Sequence, residues 1–117
     1  MTTISLSLAK QIAGLYVRLG ELAPLSELYF MQRKDSGEWE LHHFFDPDVE
    51  WYSAYDTDEL MEILPVGIAL TKLYEDKYEA WHEERPELRP AMSNDPTEAL
   101  GLMLAKVLSE RVKEKGE

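Results

Sequence analysis

Leu8, Ile12, Leu15, Tyr16 and Leu19 recur at spacings of three and four, the period of a helix with one buried face, and predict a helix over residues 5–19. Ser5 or Ser7 can cap its start, and Gly20 suits the left-handed residue that ends a helix. Gly14 lies inside this run and weakens it by about 1 kcal/mol relative to alanine, which suggests a close approach by another element. In the middle of the chain, Leu60, Ile63 and Leu64 share a face with Met61 at its edge. Asp56 or Thr57 caps that short helix, Asp58 and Glu59 place charge at its positive end, and Pro65 stops it after Leu64. This run is the expected centre of the fold. A third helix opens at Asp95-Pro96-Thr97-Glu98, with Asp95 as N-cap, Pro96 in the first turn and Glu98 reaching back to close a capping box. Leu100, Met103, Leu104, Val107 and Leu108 form its apolar face, and Lys113 and Lys115 suit its negative end.

Between the helices the pattern changes to runs rich in aromatic and large apolar residues. Residues 28–33 and 38–45 flank Asp35-Ser36-Gly37, which predicts a hairpin pairing Met31 with Leu41 and Tyr29 with His43. Its core face then carries Tyr29, Met31, Trp39, Leu41 and Phe45. Residues 46–55 read as a loop of acids and rings. A second hairpin, residues 68–73 and 78–83, pairs Lys72 with Glu79 and Leu70 with Trp81. Residues 85–93, with Pro86 and Pro90, read as an irregular connection. The expected fold is therefore a single α+β domain over residues 1–117. Its order is helix, hairpin, helix, hairpin, helix, with an antiparallel sheet of about four strands covered mainly on one face by three helices.

A chain of 117 residues can bury roughly two-thirds of its unfolded surface, enough for a core without staples. There are no cysteines, which removes disulfides, thiolate metal sites and a cysteine nucleophile. No apolar run approaches the roughly 20 residues of a membrane span, and the N-terminus lacks a signal-peptide layout. A cytoplasmic location is expected. The net charge of −11 argues against direct nucleic-acid binding and against anionic membranes, and favours a protein partner with a basic surface.

Several stretches resemble small proteins of no known activity encoded by bacteriophages and prophages. They are Ser7-Leu8-Ala9-Lys10-Gln11-Ile12, Ser26-Glu27-Leu28-Tyr29-Phe30, Asp58-Glu59-Leu60 with Leu64-Pro65, Tyr78-Glu79-Ala80-Trp81, and Asn94-Asp95-Pro96 with Glu98-Ala99-Leu100. The resemblance spans most of the chain and rests on caps, turns and core positions. It implies an α+β fold and a viral or mobile-element setting, the host cytoplasm included, and carries over no activity.

Between Lys34 and Lys72 there is no Lys or Arg, while ten carboxylates occur: Asp35, Glu38, Glu40, Asp46, Asp48, Glu50, Asp56, Asp58, Glu59 and Glu62. Such a block steers a basic partner. The expected interaction surface runs from Asp46 to Glu62: Asp46, Asp48, Glu50, Asp56, Asp58, Glu59 and Glu62 supply charge, with Trp51, Tyr52 and Tyr55 as anchors. The favoured function is a non-enzymatic accessory protein, an inhibitor or nucleic-acid mimic among the forms it can take, with no cofactor. Self-association as a homodimer is a further arrangement. The competing reading is a divalent-cation-dependent hydrolase or small-ligand-binding protein using Asp46, Asp48, Glu50 and one of His42, His43 and His82. Asp46 to Glu50 lacks the glycine and spacing of an EF-hand loop, and neighbouring histidines on a strand point to opposite faces, so no metal site is assigned. No nucleophile elbow, phosphate-binding glycine loop or dinucleotide fingerprint occurs.

Overall fold

The computed structural model describes residues 2–44 and 46–116; Phe45, expected on the core face of the first hairpin, lies outside them. The fold is α+β, with three helices and two small antiparallel sheets of three strands each. The helices are α1 (Leu6–Leu19), α2 (Thr57–Ile63) and α3 (Pro96–Glu114). The first sheet has the order β2-β1-β3, from β1 (Tyr29–Gln32), β2 (Trp39–His42) and β3 (Trp51–Ser53). The second has the order β4-β5-β6, from β4 (Ile68–Tyr74), β5 (Lys77–His82) and β6 (Ala91–Ser93).

The expected single sheet of about four strands is thus replaced by two sheets, because each hairpin gains a third strand. β3 comes from the expected loop and β6 from the expected irregular connection. At three residues each, they are too short to show an alternating pattern.

Both hairpin registers differ from expectation by one residue. In the first, Arg33 N–H donates to Glu38 O at 2.8 Å and Gly37 N–H to Arg33 O at 2.9 Å, so the loop has four residues, 34–37. Met31 then faces Glu40, and Tyr29 faces His42. A one-residue slip exchanges the faces of the partner strand. Phe30, Gln32, Trp39, Leu41 and Tyr52 share one face, from which Phe30 and Tyr52 pack on the main core. Tyr29 and Met31 point the other way and are still buried. In the second hairpin, Tyr74 faces Lys77 across Glu75-Asp76, and a bulge between Lys72 and Tyr74 resets the pairing so that Leu70 faces Ala80 and Lys72 faces Tyr78. The bulge lets Ala80 (0% exposed) and Ala91 (3%) share the inner face of the sheet against α3.

The organising element is α3, not α2. It packs against α1, α2, β5 and β6. Its Thr97 is hydrogen-bonded through its hydroxyl to that of Thr57 at 2.7 Å, which joins the starts of α2 and α3. Asp95 caps α3 by accepting from Thr97 N–H at 2.8 Å. Glu98 does not close the expected capping box. Its carboxylate accepts instead from Ser5 N–H and Ser5 Oγ, both at 2.7 Å, while Asp95 N–H donates to Ser93 Oγ. At the other end, Lys115 Nζ donates to Leu19 O at 2.9 Å and Arg111 pairs with Glu21. Two parallel helices are therefore fastened start to start and end to end. Where they cross, Gly101 leaves no room: a Cβ there would lie 2.6 Å from Ile4 Cγ2 and 2.7 Å from Leu8 Cδ2. Gly14, expected to mark a close approach, has open space around it.

The molecule measures 45 × 40 × 20 Å, thin enough for two layers, and exposes 7155 Å² against about 6,500 Å² for a compact protein of this mass. No helix among the described residues is long and apolar enough to cross a membrane.

Candidate functional site

The acidic block divides when each carboxylate is followed to its partners. Four of the ten are held within the fold. Asp56 caps α2, its side chain accepting from Glu59 N–H at 2.9 Å, and Glu59 answers by accepting from Asp56 N–H at 3.0 Å, a complete capping box. Glu59 also accepts from Ser26 Oγ at 2.8 Å and Glu27 N–H at 2.9 Å, so it pins the connection between α1 and β1 onto the start of α2. Asp35 and Glu40 flank Arg33 at 2.9 and 3.3 Å. The guanidinium holds the Asp35 carboxyl below its ordinary value.

Loop 46–50 uses its acids locally. Asp46 is half-buried and accepts from Asp48 N–H at 2.9 Å, and Glu50 accepts from the Tyr52 hydroxyl at 2.7 Å. That bond, together with partial burial, pushes the Tyr52 phenol up from its usual value. Asp48 and Glu50 line a shallow hollow with Arg33 and Lys34, so cations stand beside the exposed acids of this end. Glu38 is exposed opposite Arg33 across the hairpin turn, and the remaining acids, Asp58 and Glu62, are exposed on α2. Asp58 and Glu62 take part in no ion pair among the described residues. Exposed Met61 lies between them in sequence, and Glu59 of the same helix holds the segment that carries exposed Leu25 and Glu27.

Each of the three expected aromatic anchors makes contacts within the molecule. Tyr55 is 1% exposed and donates its hydroxyl to Pro24 O, and burial raises its pKa well above the ordinary tyrosine value. It belongs to the core and cannot be touched by a partner. Trp51 is half-buried and meets Tyr29 edge to face at 5.5 Å. Tyr52 stacks obliquely on Trp39 at 5.7 Å, and Lys10 Nζ of α1 sits 4.8 Å from the Trp39 ring and 5.9 Å from that of Tyr52. This cation–π contact fastens α1 to the first sheet.

Among the described residues, no three His, Asp or Glu side chains converge as a metal ion would require. His42 packs on Phe44 at 5.3 Å, His43 is exposed, and His82 is buried in the second sheet, where Nδ1 accepts from Glu84 N–H at 3.1 Å. His42 and Asp46 line one hollow beside Arg33 and Lys34, and His82 lies in the other sheet.

A concavity of about 600 Å³ lies elsewhere, between α3 and the segment leading into β6. No local pattern announces it, because its walls come from a connection and from a helix distant in sequence.

Compared with known protein families, with curated proteins and with solved structures, the chain matches none. The functional reading therefore stands on geometry.

Proposed function

We propose that this is a non-enzymatic binding protein that acts through contact with a basic partner protein, and that the contact is made by the outer face of α2 with the Leu25–Glu27 segment. The observation that carries this reading is the pairing pattern. Near the hairpin tip Asp35 and Glu40 pair with Arg33, and Asp48 and Glu50 share a hollow with Arg33 and Lys34, whereas Asp58 and Glu62 are exposed and in no ion pair among the described residues, and Glu27 is exposed on the segment that Glu59 holds. Met61, 48% exposed, and Leu25, 65% exposed, supply the apolar contacts first expected of Trp51, Tyr52 and Tyr55. Glu59 holds the Leu25–Glu27 segment in place, so little ordering entropy is lost on association. The phage or prophage resemblance makes a protein of the host cell the natural partner, in the cytoplasm.

Capture from host lysate at low salt tests the proposal. The wild-type protein should retain a basic protein, and Glu27→Lys/Asp58→Lys/Glu62→Lys should lose it. Reversing Glu38 and Asp48 at the other end should leave capture unchanged. Retention by the triple variant, or equal loss from the control variant, overturns the assignment.

A further inference from the structure

We propose that the groove between β6 and α3 binds an extended acidic peptide of a partner protein, which adds as a strand beside β6. This is a second surface, distinct from the outer face of α2 and independent of it.

Three observations meet in the groove. The first is its form. About 600 Å³ is within the roughly 300–1,000 Å³ of ligand-binding clefts, and its lining includes Leu88, Ala91, Leu102 and Ala105. Alanine at both Ala91 and Ala105, on facing elements, keeps the space open where larger side chains would fill it. The second is the strand along its side. β6 is the edge of the second sheet, with β5 on one flank and no strand on the other among the described residues. An edge strand offers N–H and C=O groups to a further strand, and strand addition is an established mode of peptide recognition. Three residues of β6 would pair with about 10 Å of peptide. The other edge, β4, is interrupted by its bulge, one of the devices that blunt such edges.

The third observation is charge. In a chain of net charge −11, this lining carries Arg89, Lys106 and Lys113 against Glu87 and Glu110. Both acids are already engaged, Glu87 by Arg85 at 3.0 Å and Glu110 by Lys113 at 3.4 Å. Arg89 and Lys106 have no ion-pair partner among the described residues. One cation precedes the strand and the other stands on the helix, so the two sides of the groove each present a positive charge. A peptide alternating small apolar residues with Asp or Glu satisfies the arrangement. Its backbone pairs with β6, its apolar side chains face Leu102 and Ala105, and its carboxylates reach Arg89 and Lys106. A basic peptide fails on charge, and a proline-rich one lacks the N–H groups that the edge requires.

The test uses the full chain and a fluorescently labelled hexapeptide alternating Asp and Val, followed by anisotropy at low salt and by backbone amide NMR. Binding is expected, with the largest shifts at Ala91–Ser93, and Arg89→Glu/Lys106→Glu should weaken it by at least about tenfold. The milder Arg89→Gln/Lys106→Gln serves if the reversal variant does not fold, and should weaken it in the same direction. N-methylation of alternate peptide amides should abolish binding, while Asp58→Lys/Glu62→Lys should leave it intact. The proposal is overturned by no binding, by equal binding of the Lys-Val peptide, by indifference to N-methylation, or by shifts centred on another element. It is also overturned if sedimentation shows that the groove variants break a homodimer while the peptide fails to bind, since the occupant would then be a second copy.

Discussion

Gly101→Ala and Gly14→Ala make the same chemical change in two helices and should move stability in opposite directions. Alanine is the better helix former by about 1 kcal/mol, so that gain is common to both. At Gly14, nothing lies within 4 Å of the new methyl, and the gain should appear in full as about 1 kcal/mol of added stability. At Gly101, the methyl would stand 2.6 Å from Ile4 Cγ2 and 2.7 Å from Leu8 Cδ2. Carbon atoms in packed interiors prefer about 3.5–4.0 Å, so α1 or its side chains must retreat by about 1 Å. Ile4 is β-branched and 1% exposed, and Leu8 is 3% exposed, so neither has free space to turn into. Overpacking of this kind costs about 1–3 kcal/mol, which outweighs the helix gain and leaves Gly101→Ala about 1 kcal/mol less stable than wild type. Urea unfolding followed by far-ultraviolet circular dichroism separates the two variants by about 2 kcal/mol on this reasoning. A cycle with Leu8→Ala adds a check: removing Leu8 should hurt the Gly101→Ala protein less than the wild type, by at least about 0.5 kcal/mol. A Gly101→Ala protein as stable as wild type, or a cycle with no coupling, would refute the close crossing of α1 and α3.

Glu59→Gln should destabilise the protein by about 1–3 kcal/mol, because one amide oxygen cannot replace a carboxylate that accepts from Ser26 Oγ, Glu27 N–H and Asp56 N–H. Hydrogen exchange at the Glu27 amide should quicken more than at α3, and unchanged exchange there would count against the pinning role. Tyr55 gives an alkaline prediction. Burial raises its folded-state pKa above the ordinary value of 10.0, so its contribution is intact below pH 10 and is lost as pH rises from there towards the folded value. Stability should fall at up to about 1.4 kcal/mol per pH unit for each tyrosine protonated only in the folded state. Tyr16, also raised mainly by burial, adds to the same decline. Urea midpoints measured on either side of pH 10 check this, and flat stability through that range would contradict the burial of Tyr55.

The three helices were legible because their ends are written in local chemistry. Ser5, Asp56 and Asp95 all act as N-caps, and Gly20 closes α1 with φ 70°. The α+β class followed from them and from the two strand-rich runs. Registers were not legible. The first hairpin uses the expected glycine, Gly37 at φ 76°, but its loop starts one residue earlier and every pairing moves with it. In the second, the opposite charges of Lys72 and Glu79 suggested a pairing worth at most about 1 kcal/mol on a surface, and burial of Ala80 and Ala91 against α3 prevailed. The acidic block could be counted in the sequence, but which acids the fold consumes could not. Asp56 and Glu59 did carry a signal, since their spacing is that of a capping box, whereas nothing local separates Tyr55 from Tyr52. Arg89 and Lys106 belong to different elements, and only the packing of β6 on α3 brings them to one groove.

The fastening of α1 along α3 also sets a timetable for synthesis. The apolar stripe of α1, Leu8 among it, packs most extensively on α3, which begins at Pro96. At about 5–20 residues per second, the nascent chain carries that stripe without its main cover for roughly 4–15 s before α3 is begun. Throughout that interval the first helix is a target for holdase chaperones and for its counterparts on neighbouring ribosomes, so yield in the cell should depend on translation speed between the two helices more than on the stability of the finished protein.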